Sequence, residues 1–190
     1  MRRIINSTFV SIDGVINHME AWHFGYVDEE ATQIATEQLL ACDALLMGRR
    51  TYEVYAQSWP GRDGEYAAKI NGMRKYVAST TLEQADWAGT EVIGSDLPKE
   101  VARLKEQPGG DILMHGFGPV ARTLLAHGLL DELHYWVHPK FAGVGATSDL
   151  LFSEGTSPRL DLLGTRTLAS GVVILSYQVA SPAEHEGNQR

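Results

Sequence analysis

Along most of the chain, short apolar runs alternate with breaks rich in glycine, proline and charge, and the length and period of each run point to its element. Arg3 to Ser11 (RIINSTFVS), dense in Ile, Val, Thr and Phe, predicts a strand. Asp28-Glu29-Glu30 places acids where a helix N-terminus is positive, which predicts a helix running to about Ala41. Ala44 to Met47, stopped by Gly48, predicts a buried strand. Thr51 to about Gln57 then predicts a helix, with a turn over Trp59 to Gly64. Short strands follow at Lys75 to Ala78 and Glu91 to Ile93. Pro98 suits a first helical turn, and Pro108-Gly109-Gly110 ends that helix.

Asp111 to His115 predicts a further strand, Pro119 to Ala126 a helix with Gly128 as its C-terminal cap, and Glu132 to His138 a strand. Arg159 to Ala169 and Val172 to Ala180 are two extended runs broken at Ser170-Gly171, which predicts a hairpin. Strand–helix alternation requires parallel crossovers, and the hairpin supplies an antiparallel end. The expectation is one α/β domain over 1–180. Its central sheet is mixed and mostly parallel, with helices on both faces, an antiparallel C-terminal hairpin and a disordered polar tail over 181–190.

Composition narrows the function. The chain has 190 residues, 44% hydrophobic and 21% charged, enough to bury a core. Sixteen basic against 24 acidic residues leave a net charge of -8, which argues against nucleic acid or an anionic membrane as a general partner. The single Cys42 excludes an internal disulfide framework and a cysteine-rich zinc site. The N-terminus lacks the apolar stretch of a signal peptide, and no run is long enough to span a bilayer. These features predict a cytoplasmic protein.

Two strand–helix turns have the chemistry of an anion site. In Met47-Gly48-Arg49-Arg50-Thr51-Tyr52, a buried strand ends at glycine and a helix begins near Thr51, whose hydroxyl is expected to cap it. Two arginines at a helix N-terminus oppose the dipole, and a bound phosphate would reverse that sign. Solvation, or pairing with nearby acids, is the alternative. In His115-Gly116-Phe117-Gly118-Pro119-Val120-Ala121, the pattern G-x-G-x-x-A stands between a strand and a helix, the context of a dinucleotide fingerprint. The next strand, Leu133 to His138, does not end in the acid that binds a ribose 2′-hydroxyl. A nucleotide with a 2′-phosphate fits better.

Other residue patterns add less. His134 and His138 lie about 13 Å apart along a strand and cannot share one ion, and Cys42 has no partner, so no metal is expected. Phosphate-loop and nucleophile-elbow patterns are missing from the sequence. Asp13 follows a strand directly and is a candidate proton donor; the alternative is a turn-forming role before Gly14. Trp22 and Phe24, with His18 and His23, are candidates for a lid that stacks on a flat substrate. A partly buried loop with surface histidines is the other reading.

Several of these pieces together resemble a known family. They are Ser11-Ile12-Asp13-Gly14, Met47 to Tyr52, Ser79-Thr80, His115-Gly116-Phe117-Gly118, Gly128 to Leu133, and the late Gly143, Gly145 and Leu151-Phe152. In this order the chain resembles the dihydrofolate reductase-like superfamily. Within it, the chain is similar to stand-alone bacterial proteins related to the C-terminal reductase domain of the riboflavin-biosynthesis enzyme.

The resemblance implies a three-layer fold with NADPH across the carboxyl edge of the sheet and hydride transfer to a small planar heterocycle or carbonyl compound. Gly48, Arg49, Arg50 and Thr51 would then hold the pyrophosphate or 2′-phosphate side, and Ser79 and Thr80 would lie near the 2′-phosphate. Gly116, Phe117, Gly118, Pro119 and Val120 would contact the pyrophosphate and nicotinamide end, with Ile12, Asp13, Gly14 and Val15 bordering the nicotinamide. The resemblance also implies a homodimer. True dihydrofolate reductases carry a carboxylate on their first helix, whereas Ala31 to Thr36 has none, which argues against a folate substrate. A nucleotide-binding or sensing homodimer without turnover is the alternative function.

Overall fold

The computed structural model describes residues 1–151 and 157–180, so the tail over 181–190 and Phe152 lie outside the described residues. The elements are β1 (Ile4–Ser11), α1 (Met19–Trp22), a 3-10 turn (Phe24–Tyr26), α2 (Glu29–Leu40), β2 (Cys42–Gly48), α3 (Arg49–Ser58), α4 (Glu65–Gly72), β3 (Arg74–Ala78) and β4 (Thr90–Ile93). They continue as α5 (Leu97–Glu106), β5 (Asp111–His115), α6 (Pro119–Ala126), β6 (Glu132–His138), β7 (Leu160–Thr167) and β8 (Val173–Val179), with a further 3-10 turn at Thr147–Asp149.

The strands form one eight-stranded sheet in the order β4-β3-β2-β5-β1-β6-β8-β7. Neighbours from β4 to β6 are parallel, while β8 is antiparallel to both β6 and β7. The fold is α/β with the mixed sheet and antiparallel C-terminal hairpin that the alternation of runs predicts. The last strand inserts between β6 and β7, which leaves β7 at the edge.

Alternating residues go to opposite faces of the sheet. One face carries Ile4, Val10, Leu46, Tyr76, Ile112, Met114 and Leu133 against Val101 and Leu104 of α5 and Ala121 and Leu124 of α6. The other face carries two separate clusters. Leu45, Met47, Val77 and Leu113 pack with Leu39, Tyr52 and Ile70. Trp136 and Ile174 pack with Ala31 and Ile34 of α2. The division falls on β1, where Ile5 joins the first cluster and Phe9 the second. Between them, the Ser7 hydroxyl donates to Gln38 Oε1 at 3.0 Å.

Three local details differ from the sequence expectation. Helix α3 begins at Arg49, so Gly48 is its N-cap and Thr51 lies inside the first turn and caps nothing. Helix α4 follows directly on the Trp59–Gly64 turn and buries only Ala67 and Ile70, too few apolar positions to show a period. In the hairpin, Gly171 N–H donates to Leu168 O and Leu168 N–H to Val172 O, both at 2.9 Å. The turn is therefore centred on Ala169-Ser170, and Gly171 follows it at φ +86°.

Candidate functional site

Parallel strands end on one edge of the sheet, and the helices that follow them start there with free N–H groups. Helix α2 satisfies its own start through Asp28, which accepts from Ala31 N–H at 2.8 Å. Helices α3 and α6 begin on Gly48 and Gly118, and neither has a side-chain cap. Their strands, β2 and β5, are neighbours, which brings the two glycine turns together. A Cβ on Gly116 would lie 3.4 Å from Thr51 Oγ1, and one on Gly48 would lie 3.3 Å from Val120 Cγ2. Gly116 has φ +80°, a conformation that glycine adopts without strain. A Cβ on Gly118 would meet nothing within 4 Å, so the mouth of this turn is open.

The turn is held from beneath. Asn6, fully buried in β1, donates from Nδ2 to Gly116 O at 2.9 Å and accepts from the Thr8 hydroxyl at 2.9 Å. Phe117 turns away from the mouth: it is 5% exposed and meets Tyr135 edge-on at 6.0 Å between ring centres. Pro119 takes the first helical position of α6.

The arginines divide their work. Arg49 donates from Nε to Glu53 at 2.7 Å and from Nη1 to Thr81 Oγ1 at 2.6 Å, which ties α3 to the turn after β3. In that turn Ser79 Oγ accepts from the N–H groups of Thr81 and Leu82 at 3.2 and 3.0 Å, and Thr80 is exposed. Arg50 is exposed and has no side-chain partner among the described residues. Both guanidinium groups lie on the first turn of α3, where a cation opposes the helix dipole.

The loop after β1 is stitched to the segment after β6. Asp13 accepts from the Ser11 hydroxyl at 2.5 Å and from the N–H groups of Ala142 and Gly143 at 3.0 and 3.4 Å. These donors hold its carboxyl below the usual range, chiefly the Ala142 N–H. A carboxylate stabilised in this way is a poor proton source near neutral pH, and its visible role is to join the two loops. Val15 bridges Leu150, Leu151 N–H donates to Gly14 O at 2.7 Å, and Asn17 Nδ2 donates to Asp149 Oδ1 at 2.8 Å. Arg122 of α6 donates to Leu150 O at 2.8 Å. Ile12 is left 54% exposed at the loop's tip.

Of the pair read as a stacking lid, Trp22 is only 2% exposed. Its indole N–H donates to Asn17 O at 2.8 Å, and its ring packs against His23 and His138. Phe24 is 65% exposed. His23 Nδ1 and His138 Nε2 are 2.9 Å apart, and Phe9 stacks on the His23 ring at 4.2 Å. Burial pushes His23 down to about 4 and also lowers His138. At the end of β5, His115 Nδ1 meets the Tyr55 hydroxyl at 3.0 Å, and burial pushes this histidine to about 4 as well. Among the described residues, no group of three or more His, Cys, Asp or Glu could hold a metal ion.

Asn6, Thr8 and Thr81 did not stand out in sequence, and His138 entered only as half of a histidine pair too widely spaced to share an ion. The one signal for the first two is a polar triplet, Asn6-Ser7-Thr8, in the middle of an otherwise apolar strand.

The profile of the RibD C-terminal domain matches residues 2–174. The chain belongs to the RibD C-terminal domain family. It is 30% identical over 184 residues to the uncharacterized protein YyaP of Bacillus subtilis (strain 168), covering 93% of this chain and 94% of that one. In fold it is similar to a Shewanella sp. PV-4 protein named for riboflavin biosynthesis, with a TM-score of 0.69 and 19% identity over 94% of this chain and 99% of that one. A pyrimidine reductase-like protein of Corynebacterium diphtheriae gives 0.68 and 17%, over 94% and 92%. A Thermotoga maritima diaminohydroxyphosphoribosylaminopyrimidine deaminase/5-amino-6-(5-phosphoribosylamino)uracil reductase gives 0.64 and 16%. There the match covers 94% of this chain but 57% of the longer one. Membership in this family supports a reductase-type function. Among the described residues, no helix is long and apolar enough to cross a membrane.

Proposed function

We propose that the protein is an NADPH-dependent reductase of a small planar nitrogen heterocycle or carbonyl compound. The observation that carries this reading is the meeting of two glycine turns, each opening a helix without a side-chain cap, beside two arginines that lack a buried carboxylate partner. A pyrophosphate suits such a cradle because backbone N–H groups, helix dipoles and guanidinium face one anion, and a Cβ on Gly116 or Gly48 would crowd it.

Gly48, Arg50 and Thr51 would hold the pyrophosphate together with Gly116, Gly118, Pro119 and Val120, while Phe117 anchors the turn from the core. Arg49, already beside the Ser79–Thr81 turn, would hold the 2′-phosphate with Ser79 and Thr80. Ile12, Gly14 and Val15 would border the nicotinamide, their loop fixed by Asp13. The bound cofactor would supply the hydride, and the protein's task is to orient the two reactants and exclude water.

The inward face of α2 offers Ala31, Ile34 and Ala35, with no carboxylate to hold a pterin. A uracil-type heterocycle, the kind named for the Thermotoga maritima relative, fits the reading better than a folate. A cytoplasmic location and a homodimer belong to the same proposal. Strand β7 is an edge of the sheet, and it carries Leu162 59% exposed and Leu163 56% exposed.

Thermal unfolding with NADPH, with NADH and without ligand tests the cofactor. NADPH at about 100 times its Kd should add roughly 2.7 kcal/mol and raise Tm by about 5–10 °C, with a smaller shift from NADH. Loss of the 340 nm absorbance of NADPH with an added heterocycle separates a reductase from a protein that only binds the nucleotide. Absence of any shift at millimolar nucleotide would overturn the proposal.

A further inference from the structure

The hydrogen bonds of His138 and His23 leave one nitrogen with a defined and unused capacity. A carbonyl oxygen can only accept; His138 Nδ1 lies 2.9 Å from Trp136 O, and the Val10 carbonyl is a second backbone acceptor on this ring. Nδ1 therefore carries the proton, and in the neutral ring Nε2 is a bare acceptor. His23 Nδ1 lies 2.9 Å from that Nε2 and must be the donor, so His23 carries its proton on Nδ1 and its own Nε2 is bare. Among the described residues no donor reaches His23 Nε2. Nor is this atom sealed: the buried side-chain polar atoms left without a partner are Thr90 Oγ1, Arg122 Nε and Ser170 Oγ.

The place of this nitrogen matters. His138 ends β6 opposite Ser11, from which the Ile12–Val15 loop leaves, so His23 sits at the carboxyl edge of the sheet. The ring is fixed by Phe9 on one face and by edge contacts with Trp22, Phe24 and His138, and the residue is 8% exposed. Three acidic or hydroxyl groups of the adjoining segments, Asp13, Ser11 and Tyr26, are committed. Asp13 and Ser11 bond each other and the neighbouring loop, and the Tyr26 hydroxyl approaches Pro139 O. Burial keeps His23 neutral near pH 7, which preserves its lone pair.

Resting on the reductase reading above, we propose that His23 recognises the substrate, its Nε2 accepting a hydrogen bond from a ring or exocyclic N–H of a nitrogen heterocycle, and that His138 is the positioning residue that sets its tautomer. The pair selects aminopyrimidine-type substrates over isosteres that present only acceptors.

The test uses the full-length protein with 15N-labelled histidine, NADPH, and 5,6-diaminouracil as the probe. Long-range proton–nitrogen spectra should show both rings neutral and protonated on Nδ1, and the probe should move the His23 Nε2 resonance. A His23→Asn variant keeps a donor toward His138, and its amide oxygen lies near the place of the ring Cδ2, short of the Nε2 position, so the outward acceptor is displaced. It should weaken the probe about tenfold, in Kd or KM and not in kcat, with NADPH affinity changed less than about twofold. His23→Gln, which restores an acceptor near the Nε2 position, should recover part of the loss. An Nε2-protonated His23 overturns the assignment whatever binds. Probe and NADPH binding that ignores His23→Asn overturns it while the reductase reading stands. Failure of NADPH itself to bind removes that reading, and this one with it.

Discussion

The side-chain amide of Asn6 donates to the carbonyl of Gly116 across two neighbouring strands, at 2.9 Å in a fully buried position. This bond couples the middle of β1 to the glycine turn that opens α6, and the Thr8 hydroxyl orients the amide from the other side. Asn6→Ala would leave the Gly116 carbonyl and the Thr8 hydroxyl without their partner in the core, a loss of about 1–3 kcal/mol of stability. Because the turn also loses its brace, NADPH affinity should fall several-fold. Urea unfolding and nucleotide titration of the variant measure the two effects; a stable variant with unchanged affinity would show that the turn holds its own shape.

The two arginines should separate by phosphate. Arg49 already reaches Thr81, so Arg49→Ala should weaken NADPH by about 10–100-fold and leave NADH within about twofold, as expected for a charge-assisted bond to the 2′-phosphate. Its surface pair with Glu53 contributes little and would not mask the effect. Arg50→Ala should weaken both nucleotides alike, because it faces a group they share. Fluorescence titration of each variant with each nucleotide gives the four constants, and equal loss of NADPH and NADH in Arg49→Ala would sink the assignment.

How far these features can be read from sequence depends on how local their causes are. Strand β5, helix α6 and strand β6 have the bounds expected from sequence, because glycine and proline mark their ends and each apolar run keeps one period. Helix α4 escaped because its buried residues are too few to set a period. The role of Asp13 escaped for another reason: its donors, Ala142 and Gly143, come from a loop far along the chain, and Asp-Gly reads as a turn wherever it occurs. Trp22 shows the same limit. An aromatic residue in a polar loop looks available for stacking until the fold places Asn17, His23 and His138 around it.

The edge hairpin should mediate self-association. Leu162 stands opposite Tyr177 on the edge strand β7 and is 59% exposed, and an open edge strand with exposed leucine invites pairing. A second copy presents the same uncharged face, so it can pair without bringing together the net charge of -8 each chain carries elsewhere. Leu162→Lys should convert a dimer to a monomer in sedimentation velocity at micromolar concentration, with little change in far-ultraviolet circular dichroism. A wild-type protein that sediments as a monomer at that concentration would remove this face as a self-interface.

Acid should destabilise the protein well before its carboxylates titrate. Burial lowers His23 and His115 to about 4, whereas an unfolded chain binds those protons near 6.5. The unfolded state therefore takes up protons first, and stability that is present above about pH 6.5 is lost as pH falls toward 4. At pH 5 each of the two sites should have lost about 2 kcal/mol. His138 is also lowered, but it shares a hydrogen bond with His23, so that pair counts as one unit and not as a sum of two sites. The lowered carboxyls of Asp13, Asp111 and Asp149 act only below this window. Urea unfolding at stepped pH should thus show free energy falling between about pH 6.5 and 4.5. His115→Gln should be less stable near neutral pH, because the Tyr55 hydroxyl loses its partner, yet its slope with pH should be shallower by one site. A wild-type curve that stays flat down to pH 4.5 would mean that these rings are already open to solvent in the folded protein.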